Sequence, residues 1–265
     1  MPVVVGARRV ERLDELVKDI RARGGRAIAA ACDVARAEDC QRLVDRGNAE
    51  FGPAYAVFAN AGFGTESAVH DMDDAALRRI FEVNFFGTMN TIRPALRGMM
   101  ERGRGRVLIC SSCLARFPIP LLGAYSATKA AQHHIGVAMR AELRPLGIGV
   151  TTVHPVGTAT EFFEVSAAGS APDGGPPKAV PRVNPMFMQS PEFVASRIVR
   201  SLRRAHPPAE IWPGAMGLGL RWTAALFTGV PALTSLLGRG MELQSRRKTA
   251  VKMPGGQTDT SRPPS

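Results

Sequence analysis

Aromatic residues are scarce in this chain of 265 residues: they account for 6% of it, whereas 45% of it is hydrophobic. The formal net charge of +11 would by itself attract a nucleic acid or an anionic membrane. The scarcity of aromatic residues, on which bases could stack, argues against a nucleic-acid partner. No basic stripe with interleaved aromatic residues occurs, and the basic residues are spread along amphipathic segments and a cluster at positions 246–248. The composition therefore predicts solvated basic helix faces and no nucleic-acid partner.

Cysteine is also rare, with four residues at positions 32, 40, 110 and 113. No export signal is recognisable where the sequence opens, since Met1 is followed by a β-branched run, and we expect a cytoplasmic protein with reduced thiols. Cys110 and Cys113 match C-x-x-C, but the motif follows a predicted strand and no second pair stands at zinc-binding spacing. The sequence therefore predicts structural thiols and no metal site.

Short apolar runs alternate along the chain with longer amphipathic stretches. The runs typical of strands occupy residues 3–5, 26–32, 55–60, 105–110 and 148–154. Apolar residues at helical spacing occupy 10–23, a stretch ending near 51, 73–102 and 125–146. Strands separated by helices of this length predict an α/β fold with a parallel, doubly wound sheet.

The second half of the chain departs from this rhythm. Residues 165–190 are rich in Gly, Pro, Ser and Ala, which is typical either of a substrate lid or of a disordered linker, and Ser190 followed by Pro191 predicts a helix start. Residues 212–240 are apolar, with Arg221 the only charge from 212 to 238; this favours a terminal helix packed on the core or on a second subunit over contact with a membrane surface. We predict one domain over residues 1–243 and a disordered tail over 244–265.

Tyr125 and Lys129 are the residues that first indicate chemistry. A separation of four on a predicted helix places the phenol and the ammonium one turn apart on the same face. A neighbouring cation stabilises the phenolate and lowers the pKa of the tyrosine, which makes it a usable acid and base. Ser112, at the end of the preceding strand, can face the same pocket and bind a substrate carbonyl. Taken alone, the Tyr–Lys spacing also fits an ordinary surface pair.

With these residues in this order, the chain resembles the short-chain dehydrogenase/reductase family from residue 3 to about residue 204. The resemblance rests on N-A-G, N-x-x-G, an active-site serine, Y-x-x-x-K and an aspartate that ends the third strand: Asn60-Ala61-Gly62, Asn84-Phe85-Phe86-Gly87, Ser112, Tyr125 with Lys129, and Asp33 followed by Val34. The resemblance implies a Rossmann-type sheet in three α/β/α layers. It also implies an NAD(P)(H)-dependent oxidoreductase that interconverts a secondary alcohol and a ketone or aldehyde.

The resemblance further implies a role for each matching residue. Tyr125 exchanges the alcohol proton, Lys129 lowers its pKa and holds the nicotinamide ribose, Ser112 orients the carbonyl, and Asn84 supports a water that relays protons to Lys129. The residues implied in cofactor binding are Asp33, Val34, Asn60, Ala61, Gly62, Tyr125, Lys129, Pro155, Thr158 and Thr160. The family's P-G-x-x-x-T departs from the pattern at its second position, which is Val156 here.

Cofactor choice is indicated by the end of the first apolar run, Gly6-Ala7-Arg8-Arg9. A site that prefers NAD usually places an acid here to bind the ribose 2′-hydroxyl, whereas a 2′-phosphate is bound by a cation. The acid is missing and two arginines follow, so the sequence favours NADP over NAD, with Arg8 and Arg9 as phosphate ligands. The alternative is a pair of solvated arginines leading into a helix.

The family's opening strand and T-G-x-x-x-G-x-G loop, whose glycines let the backbone approach the pyrophosphate, do not precede residue 3. The run at 3–9 fits the second strand of the family instead. We therefore expect the chain to lack the first βα unit, through a misplaced start or a true truncation, and to leave its second and fourth strands without their shared neighbour.

Three functions are compatible with these patterns. The first is the oxidoreductase, acting on a fairly apolar substrate because Phe117, Phe162, Phe163 and residues 119–122 surround the Tyr125 motif. The second is a non-catalytic family remnant that acts through association, and the third is a protein of the membrane surface. Similar proteins form homo-oligomers through the two long helices, here 73–102 and 125–146.

Overall fold

The computed structural model describes residues 1–162 and 188–229. Residues Met1–Arg221 form one compact unit, and Trp222–Ser265 form a second, of which 222–229 are described. Residues 163–187, which include Phe163 and most of the lid predicted at 165–190, lie outside the described residues, as do 230–243 and the predicted disordered tail.

The predicted strands form and pair in parallel. Residues Val3–Ala7 (β1) pair with Ala27–Ala31 (β2), and a second ladder contains Ala56–Ala59 (β3), Gly105–Cys110 (β4), Ile148–Val153 (β5) and Glu210–Ile211 (β8) in that order. A short third ladder joins Gly157–Thr158 (β6) to Met188–Gln189 (β7). Register is set by pairs such as Val3↔Ala27 and Cys110↔Val153. The parallel ladders bring the carboxyl ends of β3, β4 and β5 to one edge.

Helices flank these strands, which makes a Rossmann-type, three-layer α/β/α fold. They span Val10–Ala22 (α1), Ala37–Phe51 (α2), Asp74–Phe81 (α3), Gly87–Glu101 (α4), Gly123–Leu143 (α5), Pro191–Leu202 (α6) and Gly214–Gly229 (α7). The hydroxyl of Ser190 accepts a hydrogen bond from the Phe193 amide, which confirms the predicted cap of α6. No helix within the described ranges is both long enough and apolar enough to cross a membrane.

The expected break between the first two strands and the rest of the sheet is confirmed. Among the described strands, β1 pairs with β2 and β3 pairs with β4, and no ladder joins β1 to β3. The helices rather than hydrogen bonds bridge this break, since α2 packs both on β1 and on α4. A Cβ at Gly47 of α2 would lie 2.7 Å from Val4 Cγ2, so this glycine allows the helix to approach β1 closely.

The main core lies between the central strands and the helices α4 and α5. Its buried members include Met99 of α4, Ile109 of β4, Met139 of α5 and Val150 of β5. Gly136 lets α5 approach the strands, because a Cβ there would lie 2.4 Å from Thr152 Cγ2 and 3.3 Å from Ile109 Cδ1. This close approach fixes α5, which carries Tyr125 and Lys129, against the end of β4.

Gly136→Ala tests this packing. In an open helical position the change from Gly to Ala stabilises a helix by about 1 kcal/mol, but overpacking a close-packed core costs about 1–3 kcal/mol. We expect Gly136→Ala to lower the free energy of unfolding in urea, because the new methyl meets the Thr152 side chain. Gly219→Ala in α7 is the matched control, since a Cβ there has nothing within 4 Å. Equal stability of the two variants would contradict the packing described here.

Candidate active site

Tyr125 and Lys129 lie on the buried face of α5, one turn apart as their spacing predicts. Tyr125 is 7% exposed and Lys129 is 3% exposed. The ammonium of Lys129 donates to the main-chain oxygen of Cys110, at the end of β4, over 2.8 Å. It also lies 5.5 Å from the centre of the Tyr125 ring. The two side chains therefore line the edge at which β4 ends.

Ser112 lies at the same strand edge, shortly after the end of β4. It is 6% exposed, follows β4, and caps a short 3-10 helix, Cys113–Ala115, by accepting from the Leu114 amide over 3.2 Å. Its hydroxyl lowers the pKa of the Tyr125 phenol, against the larger effect of burial. Two polar groups predicted from separate elements thus act on each other.

Asn84 lies in a π-helical turn, Glu82–Phe86, inserted between α3 and α4. Its side chain is fully buried and holds both main-chain polar groups of Phe63: Oδ1 accepts from the amide over 2.9 Å, and Nδ2 donates to the oxygen over 2.9 Å. Nδ2 also donates to the Thr128 hydroxyl on α5 over 3.0 Å. Such single π turns are frequent at functional sites. Asn84 therefore ties the loop after β3 to the helix of Tyr125 and Lys129.

The pKa values of the pair depart from the expectation drawn from spacing. Burial raises the pKa of Tyr125, the field of Cys110 adds to the rise, and only the Ser112 hydroxyl opposes it. Burial likewise lowers the pKa of Lys129. The predicted depression of the tyrosine pKa by Lys129 is not found, because burial of the phenol raises this pKa instead. Desolvation outweighs the attraction between the two side chains.

The residues predicted to bind the adenosine half lie at the ends of β2 and β3. Asp33 is held by its neighbours, its amide donating to Asp39 and its carboxylate accepting from the Ala35 amide, each over 3.0 Å. The oxygen of Val34 accepts from Asn90 over 2.9 Å. Gly87 of the N-x-x-G motif faces this segment, since a Cβ on it would lie 2.7 Å from Val34 Cγ2. The absence of a side chain at Gly87 therefore allows the start of α4 to pack closely against Val34.

Gly62, in the loop after β3, lies close to Asn84 and Lys129. A Cβ at Gly62 would lie 3.1 Å from Asn84 Oδ1 and 3.4 Å from Lys129 Nζ. Asn60 and Ala61 are exposed beside it. The N-A-G motif thus places bare backbone, without a side chain, against the buried ammonium.

Thr158 and Arg9 allow a test of whether a nicotinamide dinucleotide fits. Thr158 Oγ1 in β6 is buried and has no hydrogen-bond partner among the described residues, and Pro155 and Thr160 flank it in sequence. An orphaned hydroxyl of this kind is suited to a polar ligand group. Arg8 and Arg9 are exposed at the end of β1, and Arg9 forms an ion pair with Glu161 at 2.8 Å. Arg12 pairs with the same carboxylate. These residues fit the dinucleotide.

Phe162, which the sequence argument placed near Tyr125, packs on it at a centroid distance of 5.4 Å. Three neighbours of the site were missed: Thr128, Gln132 and Glu161. Thr128 and Gln132 both support Asn84, the latter by donating to its main-chain oxygen over 2.6 Å. Spacing could have revealed Gln132, which follows Lys129 by three on the same helix face. No local pattern marks Glu161, which pairs with a residue 152 positions away.

A comparison with family models matches residues 1–170 to the short chain dehydrogenase family. Among curated proteins, the glycine betaine reductase ATRR of Emericella nidulans is 32% identical over 204 residues, which is 76% of this chain. The chain spans only 16% of that protein's length.

Solved structures give the same result. A short-chain dehydrogenase from Streptomyces avermitilis is 26% identical with a TM-score of 0.69, and the match covers 96% of this chain and 89% of that one. A gluconate 5-dehydrogenase from Burkholderia cenocepacia J2315 was solved in complex with NADP and tartrate. It is 25% identical with a TM-score of 0.58, and the match covers 61% of this chain and 64% of that chain. The chain belongs to the short-chain dehydrogenase/reductase family.

Proposed function

We propose that the protein reduces a carbonyl group to a secondary alcohol, or catalyses the reverse oxidation, with NADPH or NADP⁺ and with Tyr125 as the acid and base. The observation that carries the proposal is the convergence of four buried polar side chains from three separate elements. Asn84 comes from the π-helical turn, Ser112 from the end of β4, and Tyr125 and Lys129 from α5. Burying a polar group costs free energy unless it is hydrogen-bonded, so four such groups at one strand edge favour a role in chemistry, for which the phenol can exchange a proton.

In the reducing direction, the substrate oxygen accepts hydrogen bonds from the hydroxyls of Ser112 and Tyr125. The cofactor, when bound, supplies the hydride to the carbonyl carbon. Tyr125 gives its phenolic proton to the oxygen, and the raised pKa keeps that proton in place until it is needed. Lys129 stabilises the phenolate that results, and Asn84 holds the loop and helix in register.

Cofactor binding is proposed for the residues at the strand ends. Asp33 and Val34 flank the adenine, and Asn60, Ala61 and Gly62 lie on the ribose side. Pro155, Thr158 and Thr160 face the nicotinamide, with the unpartnered Thr158 hydroxyl as a donor. The cations Arg8 and Arg9 hold the 2′-phosphate, so NADP is preferred over NAD.

An apolar substrate is favoured by the surroundings of Tyr125. Tyr125 belongs to an apolar cluster with Ile80 and Ala124. The side chains packed against this cluster are Phe63, Met72, Phe81, Leu114 and Phe162. Leu121, shortly before Tyr125, adopts a φ of 71°, a strained conformation for a residue with a side chain and one that clusters at functional sites. We also propose pairing of two copies through α4 and α5, where Met100 and Val137 are exposed.

Tyr125→Phe tests the acid and base. We expect turnover of a ketone with NADPH to fall by about a hundredfold or more, because the variant lacks the transferable proton. NADPH affinity, measured by fluorescence titration, should be retained. Tyr55→Phe is the matched control, since Tyr55 is the other tyrosine of the chain and is 39% exposed. Turnover close to that of the unmodified protein in Tyr125→Phe would refute the role.

Replacing Ala7 with Asp and Arg8 with Gln tests cofactor choice. The carboxylate would bind the ribose 2′-hydroxyl of NADH and repel the 2′-phosphate of NADPH, so the ratio of kcat/KM for NADPH to that for NADH should fall by about tenfold or more. The ratio is measured with one ketone at saturation. A preference for NADH in the unmodified protein would contradict the phosphate role of Arg8.

Glu161→Gln tests whether the carboxylate competes with the phosphate. Glu161 pairs with Arg9 and Arg12, so the 2′-phosphate must displace it. Because exposed ion pairs contribute about 1 kcal/mol or less, we expect the Kd for NADPH to fall by roughly two- to fivefold. The Kd for NADH, which lacks the phosphate, serves as the control and should stay constant. A weaker affinity for NADPH in the variant would show that Glu161 does not compete.

A further inference from the structure

A buried polar cluster meets Ser112 through His154, whose Nδ1 lies 3.0 Å from the main-chain oxygen of the serine. Its members are His133 on α5, His154 after β5, and Glu210 in β8, together with Arg116 and Trp212. Both histidines are at most 3% exposed, and one ligand atom of each, with one of Glu210, lie within 4.8 Å of one another. Burying this many polar groups costs free energy unless each of them is paired, so the partners of each group indicate what the cluster does.

The cluster does not fit a metal ion, although two imidazoles and a carboxylate are common zinc ligands. Nη2 of Arg116 lies 2.9 Å from His133 Nε2 and 3.0 Å from Glu210 Oε1. The guanidinium thus already supplies the positive charge and uses these acceptors. A dication placed here would meet it at contact distance.

The hydrogen bonds of His154 fix its tautomer. Nδ1 lies 3.0 Å from the main-chain oxygen of Ser112, which can only accept, so Nδ1 carries the proton and donates. Nε2 lies 3.0 Å from the Thr152 hydroxyl, whose other acceptor, the Ala209 oxygen, is farther away at 3.4 Å. Because Nδ1 carries the proton, Nε2 accepts from this hydroxyl. Burial lowers the pKa of His154, which keeps the ring neutral in this form. The ring is therefore a fixed donor aimed at Ser112.

The ring is also held rigidly. It stacks on Trp212 with centroids 4.5 Å apart and planes at 9°. The main-chain amide of His154 donates to the Ile211 oxygen over 2.8 Å. The Trp212 indole donates to Glu210 over 2.8 Å, which anchors the stacking partner. The segment after β4 is bound to the same region on either side of Ser112, through Ser111 N to Val153 O at 2.9 Å and Cys113 N to Pro155 O at 3.0 Å.

We propose that His154 is a positioning residue for Ser112: its Nδ1–H holds the serine's main-chain oxygen and thereby sets the place of the hydroxyl that contacts the substrate oxygen. The inference rests on the function proposed above. The same oxygen also accepts from the Ala115 amide over 3.1 Å, so His154 supplies one of its two donors. The hydroxyl accepts from the Leu114 amide, so carbonyl and hydroxyl of Ser112 are both fixed. A small displacement of such a group costs far more in turnover than in binding.

The experiment compares His154→Leu with His154→Asn. The two replacements have nearly the same shape and both lose the stack on Trp212, but only the amide of Asn can donate to the Ser112 oxygen. We expect kcat for NADPH-dependent ketone reduction to fall by about tenfold or more in the Leu variant, with KM within roughly threefold. The Asn variant should recover most of that loss. His134→Leu, at the exposed neighbouring histidine, is the control and should match the unmodified protein.

An NMR measurement on the full chain separates this inference from the proposed function. The ring ¹⁵N shifts of His154 should show a protonated Nδ1 and an unprotonated Nε2, and the amide signals of Ser112 and Cys113 should move in the Leu variant and return in the Asn variant. Absence of any reductase activity in the unmodified protein would overturn the proposed function, and the NMR signals would still decide the contact. Equal kcat in the Leu and Asn variants, or a protonated Nε2, would overturn the positioning role.

If the Leu variant does not fold, Thr152→Val takes its place, because this change removes the hydrogen bond to Nε2 of His154. An unchanged kcat in Thr152→Val would count against the proposal.

Discussion

The buried ammonium of Lys129 is the constraint on which the site depends. A cation removed from water is unfavourable unless acceptors replace the lost hydration, and here the acceptor is the Cys110 oxygen at 2.8 Å. That bond joins α5 to the end of β4. It requires the close helix packing that Gly136 allows, and it places the loop of Gly62 beside the ammonium. The ends of β3 and β4 are thereby brought to one charged group.

The function proposed here divides the buried polar groups into those for chemistry and those for position. Tyr125 and Ser112 would supply hydroxyls to the substrate oxygen, while Asn84 and His154 are fully buried and bind main-chain groups. Burial favours the protonated phenol, which is the form that a carbonyl reduction uses. In the proposed reaction the phenol loses its proton, and the Lys129 ammonium then stabilises the negative charge of the phenolate. The same desolvation that raises the tyrosine pKa then strengthens this attraction.

The sequence predicted the features that depend on short separations along the chain. Spacing alone placed Tyr125 and Lys129 on one face of α5, and the alternation of apolar runs predicted the strands β1 to β5 and the helices α1, α2 and α5. The single helix predicted over 73–102 is divided by the π-helical turn, and α6 was predicted from its Ser190 cap. It did not predict the direction of the Tyr125 pKa, because that depends on burial by elements such as Phe162 that are distant in sequence. The pairing of Arg9 with Glu161 and the contact of His154 with Ser112 likewise join residues 152 and 42 positions apart, and no local pattern records them.

The most direct test of the account is a crystal structure of the chain with NADP⁺. The account predicts the nicotinamide beside Thr158 and Tyr125, the 2′-phosphate on Arg8 and Arg9 in place of Glu161, and the Lys129 ammonium bonded to the ribose hydroxyls. A nucleotide bound elsewhere, with the Arg9–Glu161 pair intact and Lys129 bonded only to the Cys110 oxygen, would contradict it.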